Sequence, residues 1–149
     1  QRITMKKVFV SICIASTVLA MFSCRSVEKA IPLSSINGEW NIIEVNGSKV
    51  TPGESRNLPF ITFDTATGRL SGNSGCNRMM GSFDVNAKPG SIDFKGIAGT
   101  KMMCPDMTTE RNVLGALAQV KGYKKAGKDK MYLCNDSNRP VVVLGKKGG

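Results

Sequence analysis

The chain contains no histidine. That absence excludes Ser-His-Asp and Cys-His nucleophilic mechanisms, every His-containing zinc site and the usual proton shuttle near neutral pH. A second absence concerns long apolar runs. The uncharged stretch Val8–Phe22 falls short of the roughly twenty residues that a bilayer-spanning helix needs. A third is the Gly-Lys-Ser/Thr ending of a phosphate loop, which does not follow the glycine-dense stretch Ser71–Phe83, so nucleotide binding is not expected. Acidic residues are also scarce. Eleven Asp and Glu stand against 21 Lys and Arg, giving a formal charge of +10. There are no internal repeats, and only the Gly145–Gly149 tail is of low complexity.

What is present begins with an address. Lys6-Lys7 lead into the run Val8–Phe22, the layout of a signal-peptide charged region followed by its apolar region. Gln1–Thr4 precede a plausible initiator, Met5, and read as upstream residues. Met21-Phe22-Ser23-Cys24 resembles the lipobox cut by lipoprotein signal peptidase, with Met21 and Phe22 departing from its usual residues. Residues 1–23 are therefore expected to be removed and Cys24 to be acylated, with a retained membrane anchor and ordinary secretion as the alternatives. Each buried methylene of an acyl chain contributes about 0.8 kcal/mol, so an anchor of several chains holds permanently. Arg25 follows the cysteine without an acidic run, which by likeness to lipoprotein sorting signals points to the periplasmic face of the outer membrane.

Residues 24–149 suffice for one domain with a real core. Arg25–Ser35 reads as a tether reaching at most about 40 Å, so the expected organisation is 24–36 tether, 37–145 domain and 146–149 tail. Within the domain, short apolar runs alternate with turn residues, the pattern of successive β-strands. Trp40 and Ile42, and Ile43 and Val45, predict a first strand covered on both faces. Asn46-Gly47 is a strong hairpin signal. Leu58–Phe63 and Arg69–Ser71 are further strands around Thr67-Gly68. Phe83–Val85 and Ile92–Phe94 alternate apolar with acidic residues, and each predicts a strand with one wet face. Val113, Leu114, Leu117 and Val120 recur at helical spacing. Asp106 is the expected N-cap, Glu110 suits the positive end of the helix dipole, and Lys121-Gly122 suits the helix end. Gly115 suggests close approach to a sheet. Strands at Gly122–Ala126, Lys130–Cys134 and Pro140–Leu144 complete a mainly β fold: a small antiparallel curled, barrel-like sheet with one late helix packed on it.

Ser71–Phe83 reads as a tight, bulged connection between strands. Here the chain resembles the META domain family of HslJ-type heat-shock lipoproteins. The resemblance rests on Trp40, on Ser71-Gly72 followed by Gly75-Cys76-Asn77, on Gly81 with Phe83, and on Thr100, Met102 and Cys104 before the helix with Glu110 and Leu117. Met79 stands where members often carry an aromatic ring. The resemblance implies a small lipocalin-like β-barrel fold and an envelope protein linked to heat or antibiotic stress, and it supplies no catalytic residues. It also marks Cys76 and Cys104, whose pairing in an oxidising compartment leaves Cys134 as a small buried residue. The competing reading is a reactive thiol at Cys76 beside Arg78.

Other residues carry lesser hypotheses. Asn77 is expected to serve the backbone of the bulge. Met79-Met80 and Met102-Met103 offer either soft copper(I) ligands or deformable packing between sheet and helix, the latter preferred. Asp84 and Asp93 could mimic a catalytic carboxylate pair, although the polar face of alternating strands is the simpler role. Lys121, Lys124, Lys125, Lys128 and Lys130 form a basic patch for anionic lipid or a partner, or a solvated hairpin tip. Export argues against nucleic acid. No metal or cofactor is expected. The leading function is a non-catalytic, lipid-anchored envelope protein that contacts a protein partner or an amphiphile; the alternatives are a carrier of small apolar ligands and an enzyme using carboxylates or a thiol.

Overall fold

The computed structural model describes residues 29–52 and 57–148. Nine strands and one helix follow in order: β1 Gly38–Val45, β2 Ser48–Lys49, β3 Phe60–Asp64, β4 Arg69–Asn73, β5 Arg78–Ser82, β6 Lys95–Gly99, α1 Thr108–Leu117, β7 Gly122–Lys125, β8 Lys130–Cys134 and β9 Pro140–Lys146. All strand pairs are antiparallel, in the order β6-β5-β4-β3-β1-β9-β8-β7, with β2 as a short hairpin partner of β1. The sheet curls into a half-barrel with α1 packed against β9 and β1. This is the curled, mainly β architecture expected from the sequence.

One segment closes the curl. Ser91 bridges Gly122, Ile92 N–H donates to Lys121 C=O at 3.2 Å, and Tyr123 N–H donates to Gly90 C=O at 2.9 Å. A few residues later the same segment becomes β6 and pairs with β5. Residues 90–99 thus hydrogen-bond to β7 at their start and to β5 at their end, covering edges that would otherwise template aggregation. Gly122 permits the close approach, since a Cβ there would lie 2.8 Å from Gly90 O.

Local chemistry explains most turns. Asn46 and Gly47 both take positive φ, 49° and 81°, as a two-residue hairpin loop requires. Asp64 accepts amides from Ala66 and Thr67 at 3.0 and 3.2 Å to start the β3–β4 turn. The interior is filled by inward residues such as Ile61 and Phe63 of β3, Met131 and Leu133 of β8, and Val113 and Leu117 of α1. Burying each such side chain contributes about 2 kcal/mol. A ten-residue helix is marginal alone, so this packing stabilises α1 rather than the reverse.

Several expectations need correction. Phe83–Val85 and Ile92–Phe94 are not strands; residues 83–94 are irregular apart from the bridge at Ser91. Their alternation arises because Phe83 and Ile92 are buried and Phe83 and Phe94 pack on Phe63, at 5.9 and 6.0 Å between ring centroids. The strands there are β5, inside the expected connection, and β6. In β1 a register shift between Ile42 and Glu44 keeps Trp40, Ile42 and Val45 buried on one side, so the strand is not covered equally on both faces. The folded body also starts before Asn37. Residues Leu33–Ile36 form a 3-10 turn, Ile36 is fully buried, and its carbonyl accepts from Trp40 Nε1 at 2.8 Å.

The helix also differs at both ends. Met107 occupies the N-cap position, while Asp106 accepts Thr108 N–H at 2.8 Å from one residue further out. Leu117 is the last helical residue and Gly122 already belongs to β7, so glycine does not terminate the helix. Gly115 does not serve close packing: a Cβ there would meet open space. Gly115→Ala should therefore stabilise the protein by about 1 kcal/mol through helix propensity alone. The shift in urea midpoint measures it; destabilisation would show that the glycine has another role.

Candidate functional site

The tight β4–β5 connection, Ser74–Asn77, sits under the first turn of α1. Ser74 N–H donates to Asn77 C=O at 2.9 Å and closes the turn. Gly75 takes φ +133°, and a Cβ there would lie 3.2 Å from both Glu110 N and Thr109 Cγ2. Only glycine suits that angle and that proximity together. Gly72 is needed for space alone, since a Cβ would fall 2.1 Å from Phe60 O of the neighbouring strand. Gly81 is tight against Ile97 and Lys95 O, while Ser71 is exposed between Thr62 and Met80.

Glu110 reaches from the helix into this turn. Its Oε2 accepts Asn77 N–H at 2.6 Å and Cys76 N–H at 3.3 Å, with Ser74 Oγ at 3.1 Å; Oε1 accepts Asn77 Nδ2–H at 2.9 Å. Glu110, Ser74 and Asn77 are all buried. The carboxylate therefore does more than face a helix dipole: it pins the helix to the sheet connection. Burial is the largest single influence on its protonation and pushes its pKa up. The bonds from Asn77, Ser74 and Cys76 together outweigh that, holding it below the usual carboxylate range.

Asn77 extends the cluster outward. Its Oδ1 accepts Thr100 Oγ1–H and Met102 N–H, both at 2.7 Å, and its Nδ2 also donates to Met102 C=O at 3.0 Å. Residues 100–102 are the start of the strap between β6 and α1. Cys76 and Cys104 form a disulfide across the same gap, with Cα atoms 6.1 Å apart. The marked residues Gly75, Cys76, Asn77, Thr100, Met102 and Cys104 are thus one knot joining turn, strap and helix, while Gly72 lies outside it, packed against β3. Asn77 serves backbone, as expected, but on the strap rather than within its own turn. Ser74 and Glu110 complete the knot and were not anticipated there; the one available signal was a Glu in a first helical turn.

The other candidates separate. Cys76 is bonded to Cys104, so no thiol stands beside Arg78, and Cys134 is buried outside the disulfide. Asp84 accepts Asn86 N–H at 2.8 Å in a turn, whereas Asp93 pairs with Lys121 Nζ at 2.9 Å; the two carboxylates are engaged separately. Met79 is buried, but Met80, Met102 and Met103 are 62%, 59% and 87% exposed, so they do not fill the space between sheet and helix. Among the described residues no three His, Cys, Asp or Glu side chains converge on a metal position, and no helix is long and apolar enough to cross a membrane. The lysines do belong to one hairpin. Lys124 and Lys125 lie on β7, Lys130 opens β8, Lys128 lies between them, and Lys121 precedes β7. Cys24 and the leader lie outside the described residues.

Comparison with known proteins matches residues 32–148 to the family model described as META domain. Among solved structures, an NMR structure of a protein from Burkholderia xenovorans is similar at TM-score 0.58 and 23% identity, covering 78% of this chain and 86% of that one. A second NMR structure is similar at TM-score 0.53 and 24% identity, covering 74% and 89%. A crystal structure of a DUF4847 family protein from Bacteroides vulgatus is similar at TM-score 0.51 and 13% identity, covering 76% and 95%. No curated protein matches the chain.

Two outcomes follow from the knot. Glu110→Gln places an amide donor against donors and should lower stability by about 3 kcal/mol at neutral pH. The carboxylate's contribution is complete above the unfolded glutamate value of about 4.3 and is lost as the pH falls through the lower folded value. The gap between wild type and variant should therefore shrink on acidification from pH 7 to about pH 3; urea midpoints at each pH check it. Replacing Cys76 and Cys104 by Ala opens a loop of sequence separation 28 and should remove about 3.5 kcal/mol by chain entropy. An unchanged midpoint in oxidised, non-reduced protein would refute that contribution.

Proposed function

The chain belongs to the META domain family, and from that premise we propose that it is a non-catalytic, lipid-anchored envelope protein acting by contact with a partner in stress tolerance. The observation that carries this reading is how the interior is used. Inward positions of the half-barrel are occupied by buried side chains such as Phe63, Leu133 and Leu144, which favours a packed interior over a chamber for an apolar guest. Glu110, the one buried carboxylate among the described residues, is saturated with donors and held ionised, which suits fastening and not proton transfer. Cys76, the thiol that could have been reactive, is consumed in the disulfide.

The surface supports contact. Met80, Met102 and Met103 are the largest exposed apolar side chains beside the knot. Methionine adapts to varied partners, and the strap that carries two of them is immobilised by Asn77 and the disulfide. Rigid presentation of apolar groups lowers the ordering cost of binding.

The anchor is the part most directly tested. Cells producing the full chain should incorporate labelled palmitate, and the protein should sediment with the outer membrane. Cys24→Ser should abolish both the label and the sedimentation; a labelled serine variant would refute acylation at Cys24. A photo-crosslinker at Met103 in the acylated protein should give one stoichiometric adduct in intact envelopes, and an equal adduct from Lys49 on β2 would refute a specific contact there.

A further inference from the structure

We infer that the outer edge of β6, together with the strap that continues it, is a strand-addition site for an extended, acidic segment of a partner protein. The inference rests on the contact reading above and adds to it the place, conformation and charge of what is bound. β6 ends the strand order, so only one of its sides is paired. In an antiparallel ladder the amide and carbonyl of each residue point together to one side, alternating along the strand. Ala98 is partnered with Met80, and Thr100 N–H donates to Arg78 C=O at 3.1 Å, so these two residues turn their backbone groups towards β5. Ile97, Gly99 and Lys101 therefore turn theirs outward, where they have no hydrogen-bond partner among the described residues.

The edge is longer than β6 itself, because Asn77 imitates a neighbouring strand. Its side-chain amide accepts Met102 N–H at 2.7 Å and donates to Met102 C=O at 3.0 Å, the paired bonds that a facing peptide group would make. The disulfide at Cys104 fastens the chain two residues further on. Residues 97–102 are thus held extended over about 20 Å, and residues 98–103 are all exposed. The start of β6 is excluded, since Gly96 takes φ +57° at an irregularity in the pairing with β5. Natural edges are commonly blocked by charge, proline or a bulge. Residues 97–100 carry no charge and no proline. An edge fixed in advance also lowers the ordering cost of binding.

Charge and side chains define the occupant. Residues 94–105 hold two lysines and no acid. Lys95 and Lys101 flank the edge and Arg78 lies beside it on β5; all three are exposed, and none has an ion pair among the described residues. A second copy of this chain fits poorly. Antiparallel pairing of Ile97 with Gly99 of another copy would set Lys95 against Lys101, like charges in facing positions. An acidic strand sets carboxylates there instead. Ala98 and Met80, partners across the β5–β6 pair, offer apolar contact to alternate residues of an added strand, and Met102 continues the same alternation. The occupant is therefore a segment in which acidic and apolar residues alternate.

The test reads amide hydrogen exchange by NMR on the full chain in non-ionic micelles. The probe is a capped peptide of alternating glutamate and valine, about eight residues long. In the free chain the amides of Ile97, Gly99 and Lys101 should exchange about as fast as those of an unstructured peptide, and saturating probe should slow them at least about ten-fold. The same peptide N-methylated at alternate residues, on the side that faces the edge, should not protect them. Each exposed ion pair changes affinity about two- to five-fold. Lys95→Glu with Lys101→Glu should therefore weaken probe binding at least about ten-fold, while Lys95→Arg with Lys101→Arg preserves it. No saturable binding, or binding without protection of those three amides, would overturn strand addition. Protection in the free chain that grows with its own concentration would overturn it in favour of a second copy. The Met103 adduct reports separately: its loss refutes the contact reading, whereas an adduct without amide protection refutes strand addition alone.

Discussion

The Glu110 carboxylate accepts hydrogen bonds from both sides of a single turn, and the placing of three chain segments depends on that contact. A ten-residue helix with few polar attachments could slide on a curled sheet, because hydrophobic contact is non-directional. Bonds to the amides of Cys76 and Asn77 remove that freedom. They fix the position of α1 to within hydrogen-bond tolerance of the β4–β5 connection. Leaving those amides buried without an acceptor would cost about 1–3 kcal/mol each, so the carboxylate and the turn require one another. Glycine at 75 is part of the same constraint, since a side chain there would strain the +133° backbone and crowd the first turn of the helix.

Asn77 passes the constraint to the strap. Its amide oxygen and nitrogen are both used, one on Thr100 and Met102, the other on Met102 and Glu110. The disulfide then joins two segments that hydrogen bonds already hold in register. The strap follows directly from β6, and β6 ends the segment that closes the half-barrel against β7. Turn, helix, strap and closing segment therefore form a continuous chain of dependence, ending at the β7 edge where Tyr123 holds the incoming segment. Met102 and Met103, proposed for contact, are carried by the strap in the middle of that chain.

The fold was legible where local chemistry and the final structure agree. Asn46-Gly47, Thr67-Gly68 and the alternation in β8 act within a few residues, so their neighbours in sequence suffice. The Phe83–Val85 and Ile92–Phe94 readings failed for a physical reason: aromatic anchors separated by polar residues give the same alternation whether the backbone joins a ladder or crosses the mouth of a barrel. Phe83 and Phe94 both pack on Phe63, and no pattern within residues 83–94 shows that. Gly115 misled in the opposite sense, because a glycine in a helix implies a close neighbour only if something lies over it. Of the knot, the Cys76–Cys104 pairing was legible through family resemblance. The role of Glu110 was not, since a carboxylate in a first helical turn is ordinarily a solvated partner of the dipole, and its real partners lie more than thirty positions away.

Polar groups in a protein this size serve either chemistry or construction, and their satisfaction separates the two. A catalytic carboxyl needs a protonation state that can change near the working pH and a face left open to substrate. Glu110 has neither, since its donors hold it ionised and occupy both oxygens. Asp84 and Asp93 are used in a turn and in a surface ion pair. Among the described residues these carboxylates hold shape, which on the proposed reading leaves specificity to what the shape presents. That includes a rigid strap bearing exposed methionines. Apolar groups on a fixed strap suit a protein surface. On the function proposed above, that strap is the face the protein offers to a partner.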